Sequence, residues 1–499
     1  MESFTFGIPQ LLMSLTGVMV GIIFGALPGM TATMAIAIFL PLTYAYDLNT
    51  SLYLLLGLYV GGISGGLIPA ILINIPGTPS SICTGFDGFP MTKRGEGLRA
   101  LRIGITASLI GGMISLAFLW FFTPPLSKVA INFSAIEKFL IIVFALTIIA
   151  ALSKGSLVKG IFAGFFGVLI ALIGQFADNN KMRMVPDMFS VDLRMGFQLL
   201  PVLIGLFAVV QIFQEAEIGM KEEHQSTDLS SQSKKFSFKD FKGQGFNVIR
   251  SGIIGTFIGV LPGVGGSAAS LLSYSQAKSQ SKHPEKFGTG CVDGLVASEG
   301  ANNGLTGGAL IPLLSLGIPG DSTTAVLIGA FMLQGIQVGP LFIINNPITW
   351  KTILLAMGLA NVLMFIVMFY PIKHIVKVIN FPKARIFPVI ILLCTVGSYA
   401  VQNGNMFDVW TMLFFGVLGY VMTKFGFSVP SLLIGFILGR DLEKYFVDSI
   451  KGAGGSLGTF FSRPIGNVIW VLIVISLGWA FYEEHRTKKR ARLAKEKEQ

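Results

Sequence analysis

Long apolar stretches separated by short polar segments run along most of the chain. They lie at residues 103–123, 139–152, 156–176, 197–214, 352–372, 386–402, 406–423 and 465–482. A helix needs about 17–25 mostly apolar residues to cross a bilayer, so most of these stretches predict membrane helices. The stretch 139–152 is short and would need its flanks to cross. The pattern predicts an all-α polytopic membrane protein with about 10–14 membrane segments.

Further apolar stretches are interrupted by proline and glycine, and the interruptions form two matching pairs. Leu27-Pro28-Gly29 recurs as Leu261-Pro262-Gly263, at an offset of 234 residues. IPAILINIPGTPSS at 68–81 matches IPLLSLGIPGDSTT at 311–324 without a gap, at an offset of 243. Proline removes a backbone donor and glycine permits a turn, so each phrase predicts a helix break. Paired breaks in two repeats are typical of secondary transporters.

The charges of the loops predict how the two repeats are oriented. In the first repeat, the loop 44–51 has one acid and no base, whereas 92–102 has four bases and one acid. The second repeat reverses this order, with three lysines in 277–292 and no charge in 336–350. Basic loops stay cytoplasmic, so we expect two inverted repeats. The segment 249–275 is too short for two full spans and predicts a re-entrant hairpin.

Composition excludes a soluble protein. The chain is 52% hydrophobic and 13% charged, with mean hydropathy +0.71, whereas soluble proteins carry about 25% charged residues. The net charge of +11 does not indicate nucleic acid, because seven bases lie in 485–499, directly after the last apolar stretch. That position predicts a cytoplasmic C-terminus, and we expect an extracytoplasmic N-terminus without a cleavable signal peptide.

We divide the chain into five parts on these patterns. The first repeat half is 1–214, the polar cytoplasmic linker is 215–248, and the second repeat half is 249–440. A C-terminal membrane helix region follows at 441–484, and the basic cytoplasmic tail is 485–499. The linker is polar and predicts no packed core of its own.

The breaks are candidates for a binding site. A helix broken inside the membrane presents free N–H groups and a partial positive charge that suit a carboxylate, while its carbonyls suit Na⁺. One such break alone would more often be a packing kink, and serine and threonine also bond locally to helix carbonyls. Four breaks in matching pairs favour a site. The candidate substrate-binding residues at the breaks are Pro28, Gly29, Thr31, Thr33, Pro76, Gly77, Thr78, Ser80, Ser81, Pro262, Gly263, Gly265, Gly266, Ser267, Pro319, Gly320, Ser322, Thr323 and Thr324.

Polar residues beside the breaks extend this candidate site. Asn302 and Asn303 are also predicted to bind substrate, and Glu299 and Asp321 are candidate ion ligands, because ionisable groups at membrane depth are costly and often functional. Alternatively, Glu299 lies in a cytoplasmic loop, and Asp321 only caps the following helix. We interpret Asp87 as a structural or gating residue of a turn rather than as a ligand. Neither the cysteines nor the histidines predict a metal site, and no nucleotide-binding or nucleophile–base motif is present, so no cofactor and no enzymatic activity are expected.

The ordered motifs resemble a known family. GALPGMTATMAIAIFLPLTY, NIPGTPSSICTGFDGFPM, LPGVGG, EGANNG, IPLLSLGIPG, GAFMLQGIQVGP and GFILGRDLEKY are together similar to the large membrane subunit of tripartite tricarboxylate transporters, over nearly the whole chain. The resemblance implies an uptake permease of the bacterial cytoplasmic membrane, coupled to Na⁺ or H⁺. Its partners would be a small four-helix membrane subunit and an extracytoplasmic solute-binding protein. Its substrates would be carboxylates such as citrate, moved by an elevator-like motion.

Three positions depart from the family pattern. Ser298 replaces a frequent proline, Asp321 replaces a small residue, and 337–340 is less proline-rich. These departures leave the identity of the carboxylate open. A channel and a membrane-embedded enzyme are the alternatives. The enzyme would need a catalytic pair that the sequence lacks, and coupled transport explains two inverted halves better than a channel does.

Overall fold

The computed structural model describes residues 6–151, 157–176, 181–218, 235–377, 383–400, 404–478 and 481–482. These residues form two compact units. One comprises Met1–Lys128 with Gln211–Val401, and the other comprises Val129–Val210 with Gln402–Gln499. The basic tail 485–499 and residues 219–234 of the predicted linker lie outside the described residues.

Helices make up nearly all the regular structure, which confirms the all-α class. The first ten are α1 (Ile8–Ala26), α2 (Ala32–Phe39), α3 (Leu48–Gly65), α4 (Leu67–Ile73), α5 (Ile82–Lys93), α6 (Gly97–Ala130), α7 (Ala135–Ala151), α8 (Leu157–Ala171), α9 (Leu199–Ile204) and α10 (Val210–Ile218). A π-helical turn, Gly205–Val209, joins α9 to α10. The strands β1 (Gly174–Gln175) and β2 (Met182–Arg183) pair antiparallel.

The remaining helices are α11 (Gly245–Val260), α12 (Gly265–Gln280), α13 (Val292–Leu316), α14 (Ser322–Leu333), α15 (Phe342–Asn345), α16 (Pro347–Phe369), α17 (Ile372–Ile375), α18 (Lys383–Ala400), α19 (Met406–Lys424), α20 (Val429–Gly452) and α21 (Pro464–Gly478). Six helical segments of the described chain are long and apolar enough to cross a membrane.

The two sequence repeats are also structural repeats, and both belong to the unit that contains α1. We define repeat 1 as residues 8–93 and repeat 2 as residues 245–333. At the offset of 234, α1 matches α11, and α2 with the 3-10 turn that follows it matches α12. At the offset of 243, α3 and α4 together match α13. Even the residue that ends this helix adopts the same left-handed conformation, at Asn74 (φ 58°) and Gly317 (φ 76°).

Small residues allow the first helix of each repeat to pack closely on the third. In repeat 1, Gly21 and Gly25 of α1 lie directly on the backbone of α3. In repeat 2, Gly255 and Gly259 of α11 lie in the same way on α13. A methyl group at any of these glycines would overlap a backbone carbonyl of the facing helix. The hydrophobic effect does not drive helix association in lipid, so close packing of this kind holds the two helices together.

The longer helices α6 and α16 pack on the third helices. Gly111 of α6 lies on Gly300 of α13, and the Ser115 hydroxyl accepts a bond from the Gly307 N–H at 3.2 Å. Thr352 of α16 contacts Asn49 of α3 at 3.2 Å. The third helix of each repeat is therefore enclosed on all sides, and almost every residue of α13 is buried.

The other unit has its own glycine seam, between α8 and α20, where Gly167 and Gly435 lie on the facing backbones. Helix α20 is 24 residues long and is absent from the apolar stretches of the sequence because its second half is polar. Helix α20 forms a salt bridge with the β1–β2 hairpin, in which Glu443 Oε1 of the helix lies 2.6 Å from Arg183 Nη1 of the hairpin. The boundary predicted at residue 440 falls inside α20, and the five-part division stays a prediction.

Candidate functional site

Each Leu-Pro-Gly break separates two helices through a glycine in the left-handed region. Gly29 (φ 86°) lies between α1 and α2, and Gly263 (φ 80°) lies between α11 and α12. This conformation strains any residue with a Cβ. The Thr31 hydroxyl caps α2 by accepting a bond from the Met34 N–H at 3.2 Å, whereas no side chain caps α12. The N-cap residue of α12, Val264, thus gives the first N–H groups of this helix no side-chain cap.

The residues after each Ile-Pro-Gly break bond to one another. In repeat 1, the Ser81 hydroxyl donates to the Thr78 carbonyl at 2.8 Å. In repeat 2, Asp321 Oδ1 accepts from the Thr324 N–H at 2.7 Å and from the Thr324 hydroxyl at 2.8 Å. Asp321 is thus the N-cap of α14, which is the alternative that the sequence left open. Its second oxygen, Oδ2, accepts from the Tyr59 hydroxyl at 3.2 Å.

The two breaks of each repeat lie against each other. Gly77 packs on Gly25 and Gly66, and Gly320 packs on Gly259 and Ala309, which are the equivalent residues. Repeat 2 adds a direct backbone bond, in which the Gly263 N–H donates to the Gly320 carbonyl at 2.7 Å. Among the described residues, no such bond joins Gly29 to Gly77.

The breaks of one repeat also contact those of the other. The Thr33 and Thr323 hydroxyls are 2.9 Å apart, which joins the start of α2 to the start of α14. On the other side, the Ser267 hydroxyl donates to the Pro79 carbonyl at 2.9 Å, and Gly266 lies against Ser80. Each Leu-Pro-Gly break therefore meets the Ile-Pro-Gly break of the opposite repeat, and the four breaks come together as two crossed pairs.

Two asparagines of α13 lie beside the crossed pairs, and both are fully buried. Asn303 Oδ1 accepts from the Ser64 hydroxyl at 2.6 Å, while Asn303 Nδ2 has no hydrogen-bond partner among the described residues. Asn302 Nδ2 lies 3.4 Å from Glu299 Oε2, and Asn302 Oδ1, likewise without a partner in the described chain, faces Gly266. Buried polar atoms normally have partners, so each unpaired atom needs an explanation.

Glu299 lies inside α13 and not in a loop. Its carboxylate accepts from the Ser108 hydroxyl of α6 at 2.9 Å and from the Thr84 hydroxyl of α5. Asp293 lies in the first turn of the same helix, where it accepts from Gln244 Nε2 at 2.8 Å. The cluster around Glu299 thus connects repeat 1, α6 and repeat 2.

Asp87 has the structural role that the sequence indicated, although it lies in α5 and not in a turn. Its Oδ1 accepts from the backbone N–H groups of Gly288, Gly290 and Cys291 at 2.7–2.9 Å. Its Oδ2 accepts from the Tyr274 hydroxyl at 2.9 Å. Asp87 therefore ties the loop after α12 in repeat 2 to repeat 1.

Several residues near the breaks and Glu299 were not predicted from the sequence, most of them because they lie singly in apolar or small-residue stretches. They are Tyr59, Ser64, Thr84, Ser108, Gln211 and Glu215. Gln211 and Glu215 lie against Gly29, next to the first break. Glu215 is the first residue of the predicted linker, and the fold places it beside the first break. The polar positions inside α3, α5 and α6 were the available signal.

Paired broken helices that meet between two structural repeats are a feature of many membrane transporters. The family model "Tripartite tricarboxylate transporter TctA family" matches residues 11–434, and the chain belongs to this family. The protein is thus a tricarboxylate transporter subunit of the multi-pass membrane type.

Two relatives come from Agrobacterium vitis. The "uncharacterized 52.8 kDa protein in TAR-I ttuC′ 3′ region" is 35% identical over 455 residues, which cover 90% of this chain and 88% of the relative. The "uncharacterized protein in TAR-II ttuC′ 3′ region" is 36% identical over 235 residues, or 47% of this chain and 97% of the relative. No solved structure matches.

Proposed function

We propose that this chain is the permease of an ion-coupled system that takes up a small di- or tricarboxylate, such as citrate, across the bacterial cytoplasmic membrane. The observation that carries the proposal is the meeting of four helix breaks beside two buried asparagines with unpaired polar atoms. The family, for its part, supports a carboxylate as the cargo.

The uncapped start of α12 is the proposed position of a substrate carboxylate. Its N–H groups carry a partial positive charge and have no side-chain cap. Asn302 lies next to this helix start through its contact with Gly266. The Asn302 carbonyl oxygen would accept a bond from a substrate hydroxyl, such as that of citrate, and the Asn303 amide would donate to a carboxylate oxygen.

The hydroxyls at the breaks divide into two groups in this proposal. Thr31, Ser81 and Thr324 bond within their own turns, so they shape the site. Thr33, Ser80, Ser267 and Thr323 lie where the two repeats meet, so they are the better candidates to contact substrate. Ser322 and the prolines and glycines of the breaks would form the backbone of the site.

Movement and partners complete the proposal. The inverted orientation suggested by the loop charges would let the crossed breaks face either side of the membrane in turn, by an elevator-like motion. A small four-helix membrane subunit would accompany the chain, and an extracytoplasmic binding protein would deliver the substrate.

Uptake of radiolabelled citrate into proteoliposomes that contain the three components tests the proposal. We expect accumulation above the external concentration when a Na⁺ or H⁺ gradient is imposed, and exchange of internal for external citrate without any gradient. A screen of other di- and tricarboxylates against the binding protein identifies the substrate if citrate is not bound. Flux that only equilibrates, and that ignores both gradients, would instead indicate a channel.

A further inference from the structure

The Glu299 carboxylate is buried, and its hydrogen-bond partners in the described part of the chain carry no charge. Its exposed fraction is 0%, and its hydrogen-bond donors are neutral, namely the Thr84 and Ser108 hydroxyls and the Asn302 amide. Among the described residues, no lysine, arginine or histidine lies within 4.0 Å of it. Neutral donors spread a negative charge but do not cancel it, and a lone charge at this depth is costly.

The fold does not require this charge. The equivalent residue of repeat 1, at the offset of 243, is Leu56, which is fully buried and apolar. Glu299 also caps no helix, in contrast to Asp321, and holds no loop, in contrast to Asp87. A glutamine would have the same shape, and its oxygen could accept from one of these hydroxyls while its NH₂ group donates to the other. The ionisable group is therefore better explained by function than by packing.

The contacts favour a proton over a metal ion as the species that neutralises Glu299. Both carboxylate oxygens are in direct hydrogen-bond contact with hydroxyls of α5 and α6. A metal ion would have to replace these contacts, because it needs several oxygens around itself. A proton adds no volume, and the protonated carboxyl can donate to a hydroxyl that previously donated to it.

The other ionisable groups on the helices that touch Glu299 are engaged elsewhere. On α5, Asp87 binds the loop N–H groups, and on α13, Asp293 accepts from Gln244. On α6, Arg99 pairs with Asp240 at 2.7 Å, and Arg102 lies over the Phe369 ring at 5.1 Å. Lys93 of α5 lies over the Phe89 ring at 4.7 Å, and Lys128 lies in the last turn of α6. The Cys83 thiol of α5 is a further neighbour, and it is buried. Glu299 is thus the carboxylate of this cluster whose charge holds no loop and enters no ion pair among the described residues, so it can bind and release a proton.

We propose that Glu299 binds the coupling proton and that Asn302 connects this proton to the substrate site. The Asn302 amide contacts Glu299 on one side and faces Gly266, at the crossed breaks, on the other. Protonation removes the charge that holds the Asn302 NH₂ group, so it changes how firmly the amide is oriented toward the site. This inference rests on the proposed carboxylate transport and adds the identity and position of the coupling ion.

The test uses the complete tripartite system in proteoliposomes, with radiolabelled citrate as the probe. An acid-outside gradient of one pH unit can support at most about tenfold accumulation per proton, and we expect the wild type to show accumulation of this order. A Na⁺ gradient at equal pH should drive none. Glu299→Gln should lose the accumulation and reach only equilibration, while its citrate exchange remains measurable and becomes independent of pH.

Two controls keep the test decisive. Glu285→Gln removes an exposed carboxylate from the loop after α12 and should accumulate citrate as the wild type does. Thermal unfolding of Glu299→Gln should occur at or above the wild-type temperature, because loss of an unpaired buried charge does not destabilise.

Three results would overturn the inference. They are normal pH-driven accumulation by Glu299→Gln, accumulation by the wild type on a Na⁺ gradient alone, and complete loss of exchange by a folded Glu299→Gln variant. A wild type that neither accumulates nor exchanges any carboxylate would instead refute the proposed function.

Discussion

Repeat 1 and repeat 2 have the same helices and the same breaks, yet their polar residues differ. Equivalent positions carry Leu56 and Glu299, Tyr59 and Asn302, Val60 and Asn303, and Thr78 and Asp321. The glycine contacts that shape the breaks are shared by both repeats. At these four pairs of positions, the carboxylates and amides all belong to repeat 2. The comparison indicates that both repeats contribute the helix breaks and their glycine contacts, whereas repeat 2 contributes most of the polar side chains that would recognise substrate.

An added methyl group at the breaks should slow citrate exchange equally in both repeats. Gly77→Ala and Gly320→Ala each place a methyl group against the backbone of the preceding break. Overpacking of this kind costs about 1–3 kcal/mol, so we expect citrate exchange to fall roughly 10- to 100-fold in both variants. Gly245→Ala is the matched control, because nothing lies within 4 Å of the added methyl group. Loss in only one of the two variants would mean that the breaks do not form one site.

The specific chemistry of repeat 2 should appear in substrate affinity. Asn302→Ala removes the amide that faces Gly266, and we expect the KM for citrate to rise about tenfold, as for the loss of a buried polar partner. Asn361→Ala provides a matched control, since Asn361 of α16 is also fully buried with an unpaired Oδ1 but faces Gly112 of α6. Its KM should stay within about twofold of the wild-type value. Equal effects of the two substitutions on KM would show that Asn302 does not contact substrate.

Loss of the hydrogen bond between Thr33 and Thr323, which joins the two repeats, should measurably slow citrate exchange. Thr33→Val and Thr323→Val each break the hydroxyl pair, worth about 1 kcal/mol, or roughly fivefold in exchange rate. The double variant should be no worse than either single variant, because the two hydroxyls share one bond. Thr352→Val breaks a similar cross-helix bond away from the breaks and should leave the rate nearly unchanged. Additive losses in the double variant would show that the two hydroxyls act separately.

The smallest effect is expected at Asp321. Asp321→Asn keeps the oxygen that accepts from the Thr324 N–H and removes the charge near the site. We therefore expect the KM to change by less than about threefold, with helix α14 still capped. Asp321→Ala loses the cap and should lower stability by about 1 kcal/mol. Asp47→Ala should have a similar effect, because Asp47 is the N-cap of α3. A rise of tenfold or more in the KM of Asp321→Asn would contradict this and show that the Asp321 carboxylate binds the ion or the substrate.

The sequence revealed the framework because the framework depends on local residue types. Proline and glycine at 28–29, 76–77, 262–263 and 319–320 are required by the breaks themselves, and their spacing repeats. Helix α20 was missed because its charged second half hides it from a hydropathy pattern. The side-chain contacts were not predictable. Thr33 and Thr323 are 290 residues apart, and nothing in either sequence neighbourhood indicates that their hydroxyls meet.

The central claim is that breaks from both repeats enclose one carboxylate. It can be tested by cysteine labelling of Thr31→Cys and Ser322→Cys, half-buried positions at a break of each repeat, in a background with Cys83, Cys291 and Cys394 replaced by alanine. A permeant maleimide is applied with and without citrate, and Ser279→Cys, exposed at the end of α12, reports nonspecific effects. We predict that citrate slows labelling at positions 31 and 322 and leaves position 279 unchanged. Slowing at only one of the two break positions, or at neither, would contradict a site shared by both repeats.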